Sequence, residues 1–598
     1  MLRAALPCAF LASFLLQLST VACAESAAVT SNIVVSAAQE VSRTDAIWAC
    51  ANLDWWPVDK CDYGMCPWGL AGIPNIDFNQ PMLQHAVAAF GGAFHLRLGG
   101  SLSDFVLYNV SAIDAASCVP FSPATNMTRL GYDFFTGCLS LTRWNEILDF
   151  AQLTNISIVF GVSALHGRVQ PPACPEGTNC RLPNCPACCI GPWGGDWRND
   201  NLGELLEYTL SKGYSNIYAL EFGNELAGQF GIQAKFSPEQ YSADFSRFVD
   251  TISSAYARHS QAPPLTLVPG NSWDANWFSQ FLKLLDSSRT PGIVSHHLYS
   301  LGGGFDPASG DRALNPAHLD LVSALAVNVS DALKPLQPPA PAATFSIWMG
   351  EGGGAYNSGR NGVTNTFWSG FWCVHPPQPL DCTANGALYC NSRARAGGET
   401  FFRYIDQMAS FARHGHGSFC RQTLVGGNYG LLNTTTLQPQ PDYYSLLLWS
   451  RVMGPSVLDV APDASNPELR AYAHCTQQAA GFPSGAVTIA LINLSNNSAV
   501  QVQPTIKGTL PSHKATGGMR SDFIFTSAGG PDVLDQLSSH EVLLNGKLLQ
   551  ADDQHGIPPL NPVVSPEDAP LLLPPLSYAF SVYHDAAAAA CSSKAAAW

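Results

Sequence analysis

Glu225 and Glu351 each close a short apolar run, Ile217-Tyr-Ala-Leu-Glu-Phe-Gly-Asn224-Glu225 and Phe345-Ser-Ile-Trp-Met-Gly-Glu351. Runs of this kind read as buried strands that deliver side chains to a site at their carboxyl ends. Two carboxylates facing each other can divide acid–base and nucleophilic work. In retaining glycoside hydrolysis one carboxyl protonates the leaving oxygen while the other attacks the anomeric carbon, about 5–5.5 Å away. A lone glutamate would as readily cap a helix or pair with an arginine. Two strand ends of one design argue for a shared site.

Holding two strand ends opposite each other calls for a closed parallel sheet. Strand-like runs fall at Ile47–Asp54, Phe94–Gly100, Ile156–Val162, Ile217–Glu225, Leu265–Val268, Ile293–Tyr299, Phe345–Gly350 and Phe419–Val425. Helical patterns separate most of them. Trp144, Ile147, Leu148 and Ala151 share one face, and Leu205, Leu206, Thr209 and Leu210 mark another helix that Gly213 ends. Ser237-Pro-Glu-Gln240 is a capping box opening a helix with Tyr241, Phe245, Phe248 and Ile252 inward. Trp277–Leu285, Ala317–Leu333 and Phe401–Arg413 complete the helices. This alternation predicts an α/β fold, a (β/α)8 TIM barrel over residues 46–449, with Glu225 ending its fourth strand and Glu351 its seventh. From about Ser450 the pattern turns to short alternating runs such as Leu469–Cys475, Val487–Leu494 and Ser577–His584, predicting an all-β sandwich over 450–585. The N-terminal segment 25–45 is expected to complete that sandwich, leaving 586–598 as a loose tail.

Residues 1–24 carry Arg3, an apolar stretch to Leu18 and Ala22-Cys-Ala24, the features of a cleaved secretory leader. No other stretch is long and apolar enough to span a bilayer. The formal charge of −15 becomes −16 without Arg3, which argues against nucleic acid and heavily sulfated chains as partners. Of eighteen cysteines, sixteen follow the leader, five of them between Cys174 and Cys189. In an oxidising compartment that segment reads as a disulfide-stapled loop, a structural zinc site being the alternative. Seven glycosylation sequons, at Asn109, Asn126, Asn155, Asn328, Asn433, Asn493 and Asn496, fit an extracellular, cell-wall, lysosomal or vacuolar protein. Those at Asn155 and Asn493 adjoin strands and are the doubtful acceptors.

Glu221-Phe-Gly-Asn-Glu225 and Trp348-Met-Gly-Glu351-Gly-Gly-Gly-Ala-Tyr356-Asn-Ser-Gly359 resemble the two catalytic motifs of glycoside hydrolase family 79, the heparanases and other β-glucuronidases. Ala51-Asn-Leu-Asp54-Trp-Trp-Pro, Cys61-Asp-Tyr-Gly, Cys420–Asn433 and Pro441-Asp-Tyr-Tyr444 are similar to its plant heparanase-like members. The resemblance implies a retaining enzyme with Glu225 as acid/base and Glu351 as nucleophile. It places Asn224 on the sugar 2-hydroxyl and brings His297 and Tyr299 of His296-His-Leu-Tyr299 into the site, His296 being as readily a core residue. Glu221 is expected to be a structural acid beneath the site. Tyr356, the backbone of Asn357–Gly359 and Tyr429 fall where the family forms its sugar pocket. Asp54, Arg97 and Ser101 are further substrate-binding candidates, with an Arg97–Asp54 ion pair as the other reading.

Ser163 stands where an Asn is usual, Gly352-Gly-Gly354 replaces more polar residues, and Cys174–Cys189 and Cys373–Cys390 are insertions. These departures touch substrate preference, not mechanism. Asn109–Leu141 is too short for the excised linker of mammalian heparanases, so a single chain is expected. The expected substrate is a glucuronic-acid-containing glycan or a small glucuronide, cut by a monomer that needs neither metal nor cofactor. The alternatives are an inactive carbohydrate-binding protein on this fold and a β-glycosidase of another sugar specificity.

Overall fold

The computed structural model describes residues 28–58, 60–61, 65–110, 137–169, 193–228, 231–232, 234–306, 316–339, 344–367, 403–510 and 517–592. The leader, the Cys174–Cys189 and Cys373–Cys390 insertions and Asn126 lie outside the described residues.

Eight parallel strands close a barrel in sequence order. They are β1 (Ala49–Asp54), β2 (His95–Gly99), β3 (Ser157–Val162), β4 (Ile217–Phe222), β5 (Leu265–Ser272), β6 (Ile293–Tyr299), β7 (Ser346–Gly353) and β8 (His416–Arg421). Eight helices follow them one by one: α1 (Pro81–Ala88), α2 (Leu141–Leu153), α3 (Asp200–Ser211), α4 (Pro238–Arg258), α5 (Ala275–Leu284), α6 (Pro316–Leu333), α7 (Arg403–Arg413) and α8 (Pro441–Val452). The Ser237 side chain accepts from the Gln240 N–H with Pro238 behind it, so the expected start of α4 forms as written.

The barrel interior is filled by a layer of Cys50, Val159, Ala219, Leu267, Ile293, Trp348 and Cys420. Cys50 and Cys420 form a disulfide that joins the first strand to the last. His95, Tyr218 and Trp348 stack beneath the site, with Tyr218 and Trp348 rings 5.9 Å apart.

Several boundaries differ from those read in the sequence. β4 stops at Phe222, leaving Asn224 and Glu225 in the turn beyond it, while β7 runs past Glu351 to Gly353. β8 begins at His416, ahead of the expected Phe419, because Gly415 and Gly417 hide its start from an apolar pattern. α8 shows no helical period because it is buried on nearly every side between the two domains. There Trp449 lies 5.9 Å from Trp48 of the barrel and 6.3 Å from Phe580 of the sandwich.

Val106–Tyr108 and Gly137–Leu139 pair with each other, and the remaining strands form one large sheet. The N-terminal strand Val29–Ser36 does complete it, parallel to Val500–Lys507 and antiparallel to Met453–Ala461. Strand Val487–Asn493 is buried along its whole length, which accounts for its mostly apolar sequence. Val487, Ile489 and Leu491 enter the sandwich core, whereas Ala490 and Ile492 face the barrel. Contrary to the expected loose tail from 586, Ala586 and Ala588 are buried in that core and Cys591 is bonded to Cys475. No helix among the described residues is long and apolar enough to cross a membrane.

Candidate active site

The turn after β4 is pinned by three backbone donors. Gly223 N–H donates to Val162 O, Asn224 N–H to Asp104 Oδ2 and Glu225 N–H to Gly270 O, each at 2.9 Å. Glu225 takes a left-handed φ of 56°, uncommon for a residue with a side chain. This turn hands Asn224 to the buried Arg97 and sets Glu225 beside His297.

Glu351 leaves β7 among glycines. A side chain at Gly353 would meet the Tyr299 ring at 2.7 Å, so glycine there lets Tyr299 lie over the strand. The Tyr299 hydroxyl donates to Glu351 Oε1 at 2.5 Å. Arg97 Nη1 donates to Glu351 Oε2 at 3.0 Å. The same guanidinium clamps Glu221 through Nε at 2.7 Å and Nη2 at 3.1 Å, and Nη2 reaches Asn224 Oδ1 at 2.8 Å. His297 Nδ1 lies 3.0 Å from Glu225 Oε1 and 3.9 Å from Glu351 Oε2.

One donor atom from each of Glu225, His297 and Glu351 lies within 4.8 Å of the others, the one set of metal-compatible spacing among the described residues. Both oxygens of Glu351 are already engaged, one by the positive charge of Arg97, which argues against a cation there.

The two carboxyls are pushed in opposite directions. Burial raises the pKa of Glu225 above the ordinary glutamate value, and the charge of Glu351 adds to that. Burial also acts on Glu351, but His297, Arg97 and the Tyr299 hydroxyl outweigh it and hold its carboxyl below the ordinary value. Asp54 is pushed up to about 7 by burial and then by Glu351.

A cavity of about 380 Å³ opens over these groups, lined by Glu225, Glu351, His297, Tyr299, Asp54, Ser101, Tyr356 and Tyr429. Three expected ligands stand differently. Arg97 is fully enclosed beneath the carboxylates and spent on Glu221, Glu351 and Asn224, so it is not a substrate ligand, and Asp54 is not its hydrogen-bonded partner. Asn224 and Gly359 do not line the cavity, where Asn357 and Ser358 take the place of Gly359. Glu221 is the enclosed acid expected beneath the site, and His296 faces away to His416 at 2.9 Å. Ser163 is also outside the cavity, donating to Asp104 O at 2.6 Å.

Four contributors were not read in the sequence. Asp104 holds Asn224 and Ala164 by their N–H groups, and burial pushes its carboxyl up to about 7. Gln422 Nε2 and Trp56 Nε1 donate to Asp54 Oδ2 at 2.7 and 2.9 Å. Asp54 Oδ1 and Gln422 Oε1 are left without a protein partner among the described residues. Lys60 lines the cavity, its ammonium 3.8 Å above the Trp56 ring and 3.2 Å from Ser358 Oγ. Its signal was a lone cation just after the Asp54-Trp-Trp-Pro motif, in a chain poor in cations.

The family model described as glycosyl hydrolase family 79, N-terminal domain, matches residues 30–376. Heparanase-like protein 1 of Arabidopsis thaliana is 36% identical over 585 residues, covering 94% of each chain. The baicalin-β-D-glucuronidase of Scutellaria baicalensis is 33% identical over 542 residues, covering 90% of each. A GH51 arabinofuranosidase structure from Xanthomonas axonopodis pv. citri shares the fold at TM-score 0.53 and 13% identity, covering 93% of this chain and 100% of its own. With its motifs at two barrel strand ends and these likenesses running nearly end to end, the chain belongs to glycosyl hydrolase family 79.

Proposed function

We propose that the chain is a retaining β-glucuronidase with Glu225 as acid/base and Glu351 as nucleophile. The observation that carries this reading is the pair of carboxyls within 4.8 Å whose proton affinities are driven apart. A short gap suits attack by the carboxylate itself, with no room for an intervening water. It also counts against an inactive carbohydrate-binding protein, which has no need to hold two carboxyls so close together.

In the first step Glu225 gives its proton to the glycosidic oxygen as a Glu351 oxygen bonds to C1. The C1–oxygen bond breaks, the aglycone leaves as its alcohol, and a glucuronosyl ester of Glu351 remains. Esterification removes the negative charge that helped to raise the pKa of Glu225, so Glu225 becomes a base suited to the second step. It takes a proton from water, whose oxygen attacks C1, and Glu351 departs as carboxylate with the β configuration restored. Arg97 and Tyr299 hold Glu351 for attack and receive its charge again on release.

Two features support a uronic acid as the sugar. Lys60 is the one lysine or arginine lining the cavity among the described residues, a counter-charge for the uronate carboxylate. The Scutellaria relative is named for a β-D-glucuronide. The disulfides Cys50–Cys420, Cys61–Cys66 and Cys475–Cys591 suit an oxidising compartment, supporting secretion through the leader.

Hydrolysis of an aryl β-glucuronide followed by proton NMR tests the mechanism. The β-anomer of glucuronic acid is expected first, and Glu351→Gln is expected to be inactive. For Glu225→Ala, azide is expected to restore turnover as the β-glucuronosyl azide. First appearance of the α-anomer, or equal rates for wild type and Glu351→Gln, would overturn it.

A further inference from the structure

We infer that the cavity carries a separate aglycone subsite, built for a flat aromatic leaving group rather than a second sugar. The inference rests on the assignment of Glu225 as proton donor, which fixes where the leaving group lies.

The two carboxylates divide the cavity by their strands. On the Glu351 side, from β7 round to β1 and β2, the walls carry six polar side chains, Asp54, Lys60, Ser101, Asn357, Ser358 and Gln422, set among the aromatic Trp56, Tyr356 and Tyr429. The unpartnered Asp54 Oδ1 and Gln422 Oε1 lie there, suited to sugar hydroxyls. Glu225 stands on the other side, bonded through its N–H to Gly270 of β5. Beyond it the wall is Ser272 at the end of β5, Trp273 just past it, Leu298 of β6 and Leu325 of α6, with Ser272 its one hydroxyl. A proton donor acts on the leaving oxygen, so the aglycone lies against this wall.

Trp273 is held as a fixed plate. Its indole N–H donates to Asn328 Oδ1 at 2.8 Å, its ring packs on Phe278 at 4.7 Å, and His296 meets it edge-on at 6.1 Å. With the N–H engaged and two leucines beside it, the wall offers area but few hydrogen bonds. A second sugar would bring several hydroxyls needing partners, each costing free energy if desolvated and unmet. An aromatic ring asks only for contact area and stacks on a rigid indole at little entropic cost. The absence of lysine or arginine on this wall, among the described residues, also fits a neutral leaving group better than a sulfated one.

The test compares wild type, Trp273→Ala, Trp273→Phe and Leu325→Asn on three β-glucuronides: a polycyclic aryl glucuronide, methyl glucuronide and a glucuronyl disaccharide. Loss of the indole face is expected to lower the ratio of kcat/KM for aryl over methyl substrate by about tenfold or more, mainly through KM. Trp273→Phe is expected to recover part of that ratio, and Leu325→Asn to lower it. The disaccharide is expected to follow methyl glucuronide. Free polycyclic phenol is expected to inhibit wild type competitively and Trp273→Ala more weakly. A uniform loss on all three substrates would make Trp273 structural, and a disaccharide loss matching the aryl loss would make the wall a sugar platform. Either result, or an unchanged ratio, overturns the inference. Turnover of no glucuronide at all would instead sink the β-glucuronidase reading, while phenol binding, followed by indole fluorescence, would still decide the subsite.

Discussion

Arg97 and Glu351 form an ion pair at 3.0 Å in which the arginine side chain is wholly enclosed and the glutamate still reaches the cavity. The charge that steadies the nucleophile therefore comes from below, and the substrate face stays open. Glu221 makes this possible by accepting two bonds from the same guanidinium, so the buried arginine has a counter-charge of its own.

Glu221→Gln tests that division of labour. The amide keeps the size of the side chain but removes the counter-charge, so the full charge of Arg97 falls on Glu351. The nucleophile becomes a weaker base and its anchor loses one fixed edge. We expect kcat to fall about 10–100-fold with little change in KM, alongside about 3–5 kcal/mol of lost stability. Single-turnover kinetics and urea unfolding measure both. A rise in KM at unchanged kcat would mean that the buried pair supports binding only.

Activity should follow a bell in pH. Glu351 must be ionised, and its pKa lies below the ordinary value, so the acid limb falls below the usual carboxylate range. Glu225 must be protonated, and its pKa lies above the ordinary value, so activity is lost as pH rises through that raised value. Asp54, pushed up to about 7 by burial, also gives up its proton as pH rises and needs a control. With an activated aryl glucuronide that needs little acid assistance, Glu225→Gln is expected to lose the alkaline limb, and Asp54→Asn to keep it. A limb that survives in Glu225→Gln but vanishes in Asp54→Asn would assign the proton to Asp54.

The barrel was legible because its helices carry strong periods: Tyr241, Phe245, Phe248 and Ile252 announce α4. Residues of α8 announce nothing, since a helix buried all round has no polar face to set a period. Within the site, motif spacing reached Glu225, Glu351, His297 and Tyr299. It misplaced Arg97 because a strand pattern tells which face a side chain takes, not how deep it sits. Asp104 was invisible for a different reason. It acts on the N–H groups of Asn224 and Ala164, contacts made by tertiary closure and written in no local pattern.

Lys60→Met should change which sugar is accepted. The thioether keeps much of the contact with Trp56 while removing the charge beside it. We expect kcat/KM for an aryl β-glucuronide to fall by about 100-fold, with a far smaller change for the matching aryl β-glucoside, since a charge-assisted contact contributes about 1.5–3 kcal/mol. Parallel kinetics on both substrates give the ratio. A proportional loss on both would place Lys60 in the architecture of the pocket and leave the uronate carboxylate to Tyr356, Tyr429 and the backbone of Asn357 and Ser358.

Asn493 is expected to carry no glycan although its sequon is complete. The side chain is fully buried, and Nδ2 donates to Ser498 O at 2.9 Å, Leu573 O at 3.3 Å and Pro574 O at 2.8 Å. Oδ1 accepts from Ser495 N–H at 3.1 Å. The nitrogen that a glycan would need is the one tying the strand end to its neighbour. Asn496 lies exposed three residues later. Enzymatic release of N-glycans in heavy-oxygen water marks each occupied asparagine by mass. We expect no mark at Asn493 and a loss of about 2–4 kcal/mol of stability in Asn493→Ala, because three carbonyl acceptors lose their donor at once. A marked Asn493 in folded protein would show that this corner of the sandwich opens far enough to release all three contacts.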